Sequence, residues 1–250
     1  MATSVLSSIS RFGLTEPFDL QVARGQITGH STLNIYGYQL AVTTTFIPVW
    51  SAGGAYAYPV SAVQMNLAST VNTGGDLTAT IFIQGLDANY NISSETLQLN
   101  GTTPVSTVKS YLRINGTAVN AGSPTGTITL KNLANTVTYS QILAGYGRSQ
   151  DAVYTVPAGY TFYLSRVDAY SSANGNTVDY LFYRNLQTSS TGVTIVSQQA
   201  PFIGSYAAQR VMPRGLLEKT DIQLQAKSTA NTYAVNISAE GYLIKNDGQA

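Results

Sequence analysis

Apolar side chains recur at every second residue through much of this chain, and that period suits half-buried β-strands and little else. Val63, Met65 and Leu67 alternate with Gln64 and Asn66. Leu77, Ala79, Ile81 and Ile83 alternate with Thr78, Thr80 and Gln84, with Phe82 as an apolar exception. The rhythm continues in Glu95-Thr96-Leu97-Gln98-Leu99 and Tyr160-Thr161-Phe162-Tyr163-Leu164. Ile222, Leu224 and Ala226 alternate with Asp221, Gln223, Gln225 and Lys227, and Tyr233, Val235 and Ile237 with Asn236 and Ser238. Thr, Val, Ile and Tyr, which fit a pleated surface, are abundant. Strands do not alternate with long helical patterns, which argues against a parallel α/β fold.

Turn residues punctuate these runs. Asn100-Gly101, Asn115-Gly116 and Asn174-Gly175 each lie between strand-like segments and predict tight hairpins, because Asn-Gly accepts positive φ at both central positions. Gly74-Gly75-Asp76 and Pro157-Ala158-Gly159 also read as turns. Strands at such spacing predict an all-β, antiparallel β-sandwich or jelly-roll fold. The Gly-rich stretch around Gly145 suggests a boundary. Residues 1–40 read as an N-terminal arm, 41–145 as a first β-sandwich, and 146–250 as a second, jelly-roll-like β-sandwich in tandem. A single interwoven sandwich is the competing reading. Val5, Ile9 and Phe12 fall near helical spacing and allow a short helix in the arm.

Charged residues are only 10% of the chain, against roughly 25% in an average globular domain. Polar uncharged side chains must therefore cover the exterior. Such a surface suits contact with neighbouring protein, since little charge is desolvated on burial. Thirteen basic and twelve acidic residues leave a net charge of +1 with no basic stripe, which disfavours nucleic acid and anionic membranes. Cysteine is absent, which excludes disulfides and Cys-ligated metals. The first residues lack the basic region of a secretory signal, and no stretch approaches the roughly 18 apolar residues of a membrane span.

Candidate sites are few. His30, the single histidine, lies in Gly29-His30-Ser31, but no G-x-S-x-G elbow accompanies it, so it reads as a structural hydrogen-bonding residue. Asp87-Ala88-Asn89-Tyr90-Asn91 begins like a calcium loop, yet Ile92 stands where Gly is needed and Gln98 where Glu is needed, so a turn is expected. Gly145-Tyr146-Gly147 starts a dinucleotide fingerprint that Gln150 breaks. Formal glycosylation sequons at Asn91, Asn100, Asn115 and Asn236 are what Asn/Ser/Thr-rich strands produce by chance. The excess of tyrosine is more informative. The pairs Tyr36/Tyr38, Tyr56/Tyr58 and Tyr180/Tyr183 could face a sugar or a protein, or simply pack in half-buried strands. Trp50 reads as core or subunit interface.

Several phrases resemble structural proteins of marine tailed phages, including those of cyanobacteria. They are Pro17-Phe18-Asp19-Leu20-Gln21-Val22-Ala23-Arg24-Gly25-Gln26-Ile27 with Gly29-His30-Ser31, then Gly85-Leu86-Asp87-Ala88-Asn89-Tyr90-Asn91 and Leu99-Asn100-Gly101-Thr102-Thr103. Tyr154-Thr155-Val156-Pro157-Ala158-Gly159 and Glu218-Lys219-Thr220-Asp221-Ile222 extend the resemblance over most of residues 16–247. It implies a place in the virion, assembled in the host cytoplasm, and transfers no catalytic or binding residue. The expectation is a non-enzymatic capsid decoration or cement protein. It would form a homotrimer and dock on the major capsid protein or other virion proteins, without cofactor or metal. The alternative is a trimeric tail or head-fibre component that binds host surface glycans.

Overall fold

The computed structural model describes residues 16–173, 178–186, 193–229 and 232–246. A short helix, α1 (Phe18–Ala23), precedes the strands β1 (His30–Val42), β2 (Ile47–Pro48), β3 (Met65–Ser69), β4 (Thr80–Leu86), β5 (Ile92–Gln98) and β6 (Val105–Ser106). There follow β7 (Arg113–Ala121), β8 (Ile128–Asn132), β9 (Thr138–Ile142), β10 (Val153–Thr155) and β11 (Tyr160–Ser171). The chain closes with β12 (Val178–Leu186), β13 (Val193–Phe202), β14 (Ser205–Leu216), β15 (Thr220–Ser228) and β16 (Tyr233–Lys245). All of their pairings are antiparallel. The expected all-β sandwich class is therefore observed.

Two sandwiches result. In the smaller, a sheet ordered β6-β3-β8-β9 faces one ordered β5-β4-β7 over a core that includes Met65, Leu67, Ile81, Ile83 and Leu130. In the larger, a sheet ordered β1-β16-β11-β14 covers a sheet ordered β10-β15-β12-β13, around Phe162, Leu164, Ile222, Leu224 and Ile237. Each of these fully buried side chains contributes roughly 1.5–3 kcal/mol by leaving water. They sit at the positions where the alternation places the inner face.

β2 pairs with Gln225 and Ala226, and β10 with Asp221, Ile222 and Gln223. Because β12 occupies the whole opposite edge of β15, β2 and β10 lie end to end on the remaining edge. They are two halves of one interrupted strand. Counted as one, they leave the larger sandwich with eight strands in a double-sheet jelly-roll arrangement.

This arrangement corrects the expected domain order. The sandwiches are not in tandem: residues 51–150 are inserted into the second strand of the jelly roll, and the chain returns beside its point of departure. Trp50 bridges Asp151, Ala152 donates its N–H to Val49 O at 2.9 Å, and Val49 N donates to Leu224 O at 2.9 Å. The arm of residues 1–40 is corrected too. Its last part is β1, which pairs with β16 from His30↔Ile244 to Gln39↔Val235. β1 buries Ile35 and Val42 in the jelly-roll core, which removes apolar surface that a free arm would leave in water. The break suggested near Gly145 lies short of the crossing, because Gly147 and Ser149 still hydrogen-bond to β7. The helix suggested near Val5 and Phe12 falls outside the described residues.

The Asn-Gly pairs also behave differently from simple hairpins. Asn100-Gly101 joins β5 to β6, strands of opposite sheets, with Gly101 at φ 59°. Asn115-Gly116 lies inside β7, where Gln84 pairs with Gly116 and Gly85 with Ile114, so Asn115 is bulged out. Asn174-Gly175 is outside the described residues.

Candidate functional site

The junction between the sandwiches is built from residues that local pattern assigns to other roles. β15 should show Asp221 and Gln223 to water, yet both are buried, because the inserted sandwich lies over that face. Arg113, at the start of β7, reaches Asp221 with Nε–Oδ1 at 2.8 Å and Nη2–Oδ2 at 3.0 Å. This fork crosses from one sandwich to the other, with side-chain exposures of 6% and 1%. Nη1 donates to Pro59 O at 3.2 Å and Leu112 O at 2.8 Å, and Thr155 Oγ1 donates to Asp221 at 2.5 Å. Burial alone would lower the Arg113 pKa, but the Asp221 carboxylate outweighs it and the guanidinium titrates above its ordinary value.

Aromatic rings extend this contact to the crossing point. The Arg113 guanidinium stacks 4.6 Å from the Tyr58 ring, Tyr58 meets Tyr56 edge-on at 5.0 Å, and Tyr56 meets Trp50 at 5.0 Å. Trp50 Nε1 donates to Gly54 O at 3.0 Å, and Tyr56 Oη to Tyr139 O at 3.0 Å. Burial pushes the Tyr56 phenol well above its usual range. Tyr56, Tyr58 and Trp50 are thus a junction, with Trp50 in the core as expected. The bulged Asn115 adds a link that imitates a strand pair. Its Nδ2 donates to Thr155 O at 2.9 Å and its Oδ1 accepts from Thr155 N at 2.9 Å. Gly37 of β1 passes over the crossing so closely that a side-chain carbon there would strike Val49 O and Ala152.

Beside this junction a cleft of about 300 Å³ opens between β1, β4, β7 and the returning segment around Arg148. Asp151 is at its edge. Burial pushes the Asp151 carboxyl up to about 6, although Ser140, Ser149 and the backbone at Ser51 and Gln141 oppose the shift. Ser140 Oγ donates to Oδ2 at 2.6 Å, whereas Oδ1 is shielded from solvent with no partner in hydrogen-bonding geometry. Phe82, the exception in the alternation, points outward from β4 into this cleft and is 37% exposed. Tyr36, Gln84 and Asn34 also line it. Arg148 stands exposed at the rim, on a segment pinned to β7 by Val119 N→Gly147 O and Ser149 N→Thr117 O, both 2.8 Å. Among the described residues the Arg148 guanidinium makes no ion pair.

The residues singled out from sequence scatter. His30 Nδ1 lies 3.0 Å from Thr28 O, and the ring packs edge-on against Phe18, away from the cleft. Asp87 closes its own turn by accepting from Asn89 N at 2.8 Å and Asn91 N at 2.9 Å, with Tyr90 at φ 66°. No cluster of three or more metal-ligating side chains exists among the described residues. Gly145 and Gly147 belong to an exposed turn. Tyr180 and Tyr183 are on β12, and their side chains lie outside the described residues. Sequence reasoning missed Arg113, Asp151 and Arg148. One signal was present: Arg113 interrupts the run Tyr111-Leu112-Arg113-Ile114, where a lone charge needs a buried partner. No protein-family model matches the chain, and no curated protein matches it.

Proposed function

We propose that this chain is a structural subunit of a tailed-phage particle, acting as a decoration or cement protein that stabilises the head shell by contact with the major capsid protein or other virion proteins. The resemblance of its sequence phrases to marine phage structural proteins supports the setting, as does a jelly roll, an architecture found in viral shells and in lectins. Fold alone does not assign a role. The observation that carries the reading is an apolar projection on the edge of the jelly roll. Leu164 pairs with Arg214 and Arg166 with Gln209, so Ser165 alone stands opposite residues 210–213 of β14. This excursion leaves Val211 99% and Met212 83% exposed. Among the described residues β14 is the outer strand of its sheet, the position at which another chain meets a sheet. Apolar side chains held in water on an edge strand favour coverage by another protein. A homotrimer would multiply such weak contacts.

A second reading, a trimeric tail or head-fibre component that binds host glycans, is favoured by the cleft between the sandwiches. Cryo-EM of particles carrying a labelled chain separates the two. The cement reading expects many copies distributed over the head. A few copies confined to the tail would overturn it.

A further inference from the structure

We propose that the cleft between the two sandwiches binds an anionic saccharide, a pyranose unit bearing a carboxylate, with Arg148 pairing the carboxylate and Phe82 lying against the ring. The inference gives a site and a ligand class to the glycan-binding reading and rests on it. It does not depend on where the chain sits in the particle.

Three features of the cleft converge. Phe82 occupies an outward position of β4 between Ile81 and Ile83, both fully buried in the core. An aromatic side chain there does nothing for the core, and it offers an apolar platform of the kind that the C–H face of a sugar ring covers. The backbone at Arg148 is held in place, because its segment continues the β7 ladder on both sides. In a chain with only thirteen basic residues, an exposed guanidinium without a carboxylate partner at the rim of a cleft is available for a planar anion, which it can bind through two parallel N–H bonds. The polar groups are the third feature. Gln84 is exposed and its side chain has no hydrogen-bond partner among the described residues, and Asn34 donates through Nδ2 to Glu240 at 3.1 Å, which leaves its Oδ1 as an acceptor.

The combination discriminates among ligands. A phosphate ion would use Arg148 and ignore Phe82 and the amides. A neutral sugar would leave the guanidinium idle. A carboxylate-bearing pyranose uses all three, and a cleft of about 300 Å³ is at the small end of ligand sites, suited to a sugar unit or two.

The test titrates the full chain with tri-galacturonate, with maltotriose as the neutral counterpart, and with a short peptide ending in a free carboxylate. Arg148→Gln and Phe82→Thr are compared with the parent by calorimetry. Both side chains are exposed, and an unchanged Trp50 emission spectrum checks the fold of each variant. The expected result is binding of tri-galacturonate that weakens at least tenfold in each variant and falls with added salt. Maltotriose bound as tightly as tri-galacturonate, with Arg148→Gln without effect, overturns the inference and leaves the glycan reading standing. Tri-galacturonate binding unaffected by either variant likewise overturns the cleft alone. No saccharide binding at all removes both. Tighter binding of the peptide, competing at the cleft, assigns the site to a protein partner and overturns the saccharide.

Discussion

Replacing Arg113 with Met should destabilise the whole chain, because the guanidinium joins the inserted sandwich to the jelly roll in a dry environment. Met retains much of the apolar stem and removes the donors. Asp221, whose side chain is 1% exposed, would then keep only the Thr155 hydroxyl, and Pro59 O would lose its partner. Removing one member of a buried pair costs about 3–5 kcal/mol, since a charge is left unsolvated. Against the roughly 5–15 kcal/mol that separates most folded domains from their unfolded state, that is a large share. The corresponding loss in Tm is about 6 °C or more for a chain of this size. Trp50, the single tryptophan, is linked to Arg113 through the two rings of Tyr56 and Tyr58 and reports on the junction. Urea unfolding followed by Trp50 fluorescence and by circular dichroism gives the stability of the junction and of the strands separately. Arg113→Met/Asp221→Leu should recover part of the loss, because replacing both charges removes the stranded one. A loss below about 1 kcal/mol in Arg113→Met would place the pair in the range of screened surface bridges and refute the reasoning.

Other outcomes follow from the buried carboxyls and the exposed edge. Asp151 titrates near 6 when folded against an ordinary 3.8, so its ionised form opposes folding above about pH 6 and the penalty vanishes as pH falls below 3.8. Asp151→Asn should therefore raise stability at pH 7 by about 2–3 kcal/mol and flatten the pH dependence between 4 and 6, read from urea midpoints across pH. Asp76 has the opposite sign. Burial pushes it up, but bonds from Ser69, Thr125 and Gly126 hold it at about 2, so its contribution is present above 3.8 and is lost as pH falls towards 2. Asp76→Ala strands the buried N–H of Gly126 and that of Thr125 and should cost about 3 kcal/mol in thermal melts. Val211→Ser with Met212→Ser should leave the melting temperature within about 2 °C, since neither side chain packs in the core, while reducing the amount of chain retained on purified heads in sedimentation.

The sequence by itself determined the class of fold and much of the inner face. Ile81, Ile83, Leu224 and Ile237 are buried where the two-residue period puts them, because alternation depends only on the pleat of each strand. It also marked Phe82 as an exception, and Phe82 lines the cleft. What alternation does not carry is the identity of a strand's neighbour. His30 pairs with Ile244, more than two hundred residues away, and nothing in either segment names the other. The split second strand was equally hidden, since β2 and β10 contribute two and three residues, too few for a period to be seen. Tertiary structure alone decided that Asp221 and Gln223, polar residues at outward positions, lie under a second sandwich, and that a charge from β7 meets one of them. Burial on the outer face of a sheet is set by what packs over it. That depends on the path of the whole chain, and no local pattern records it.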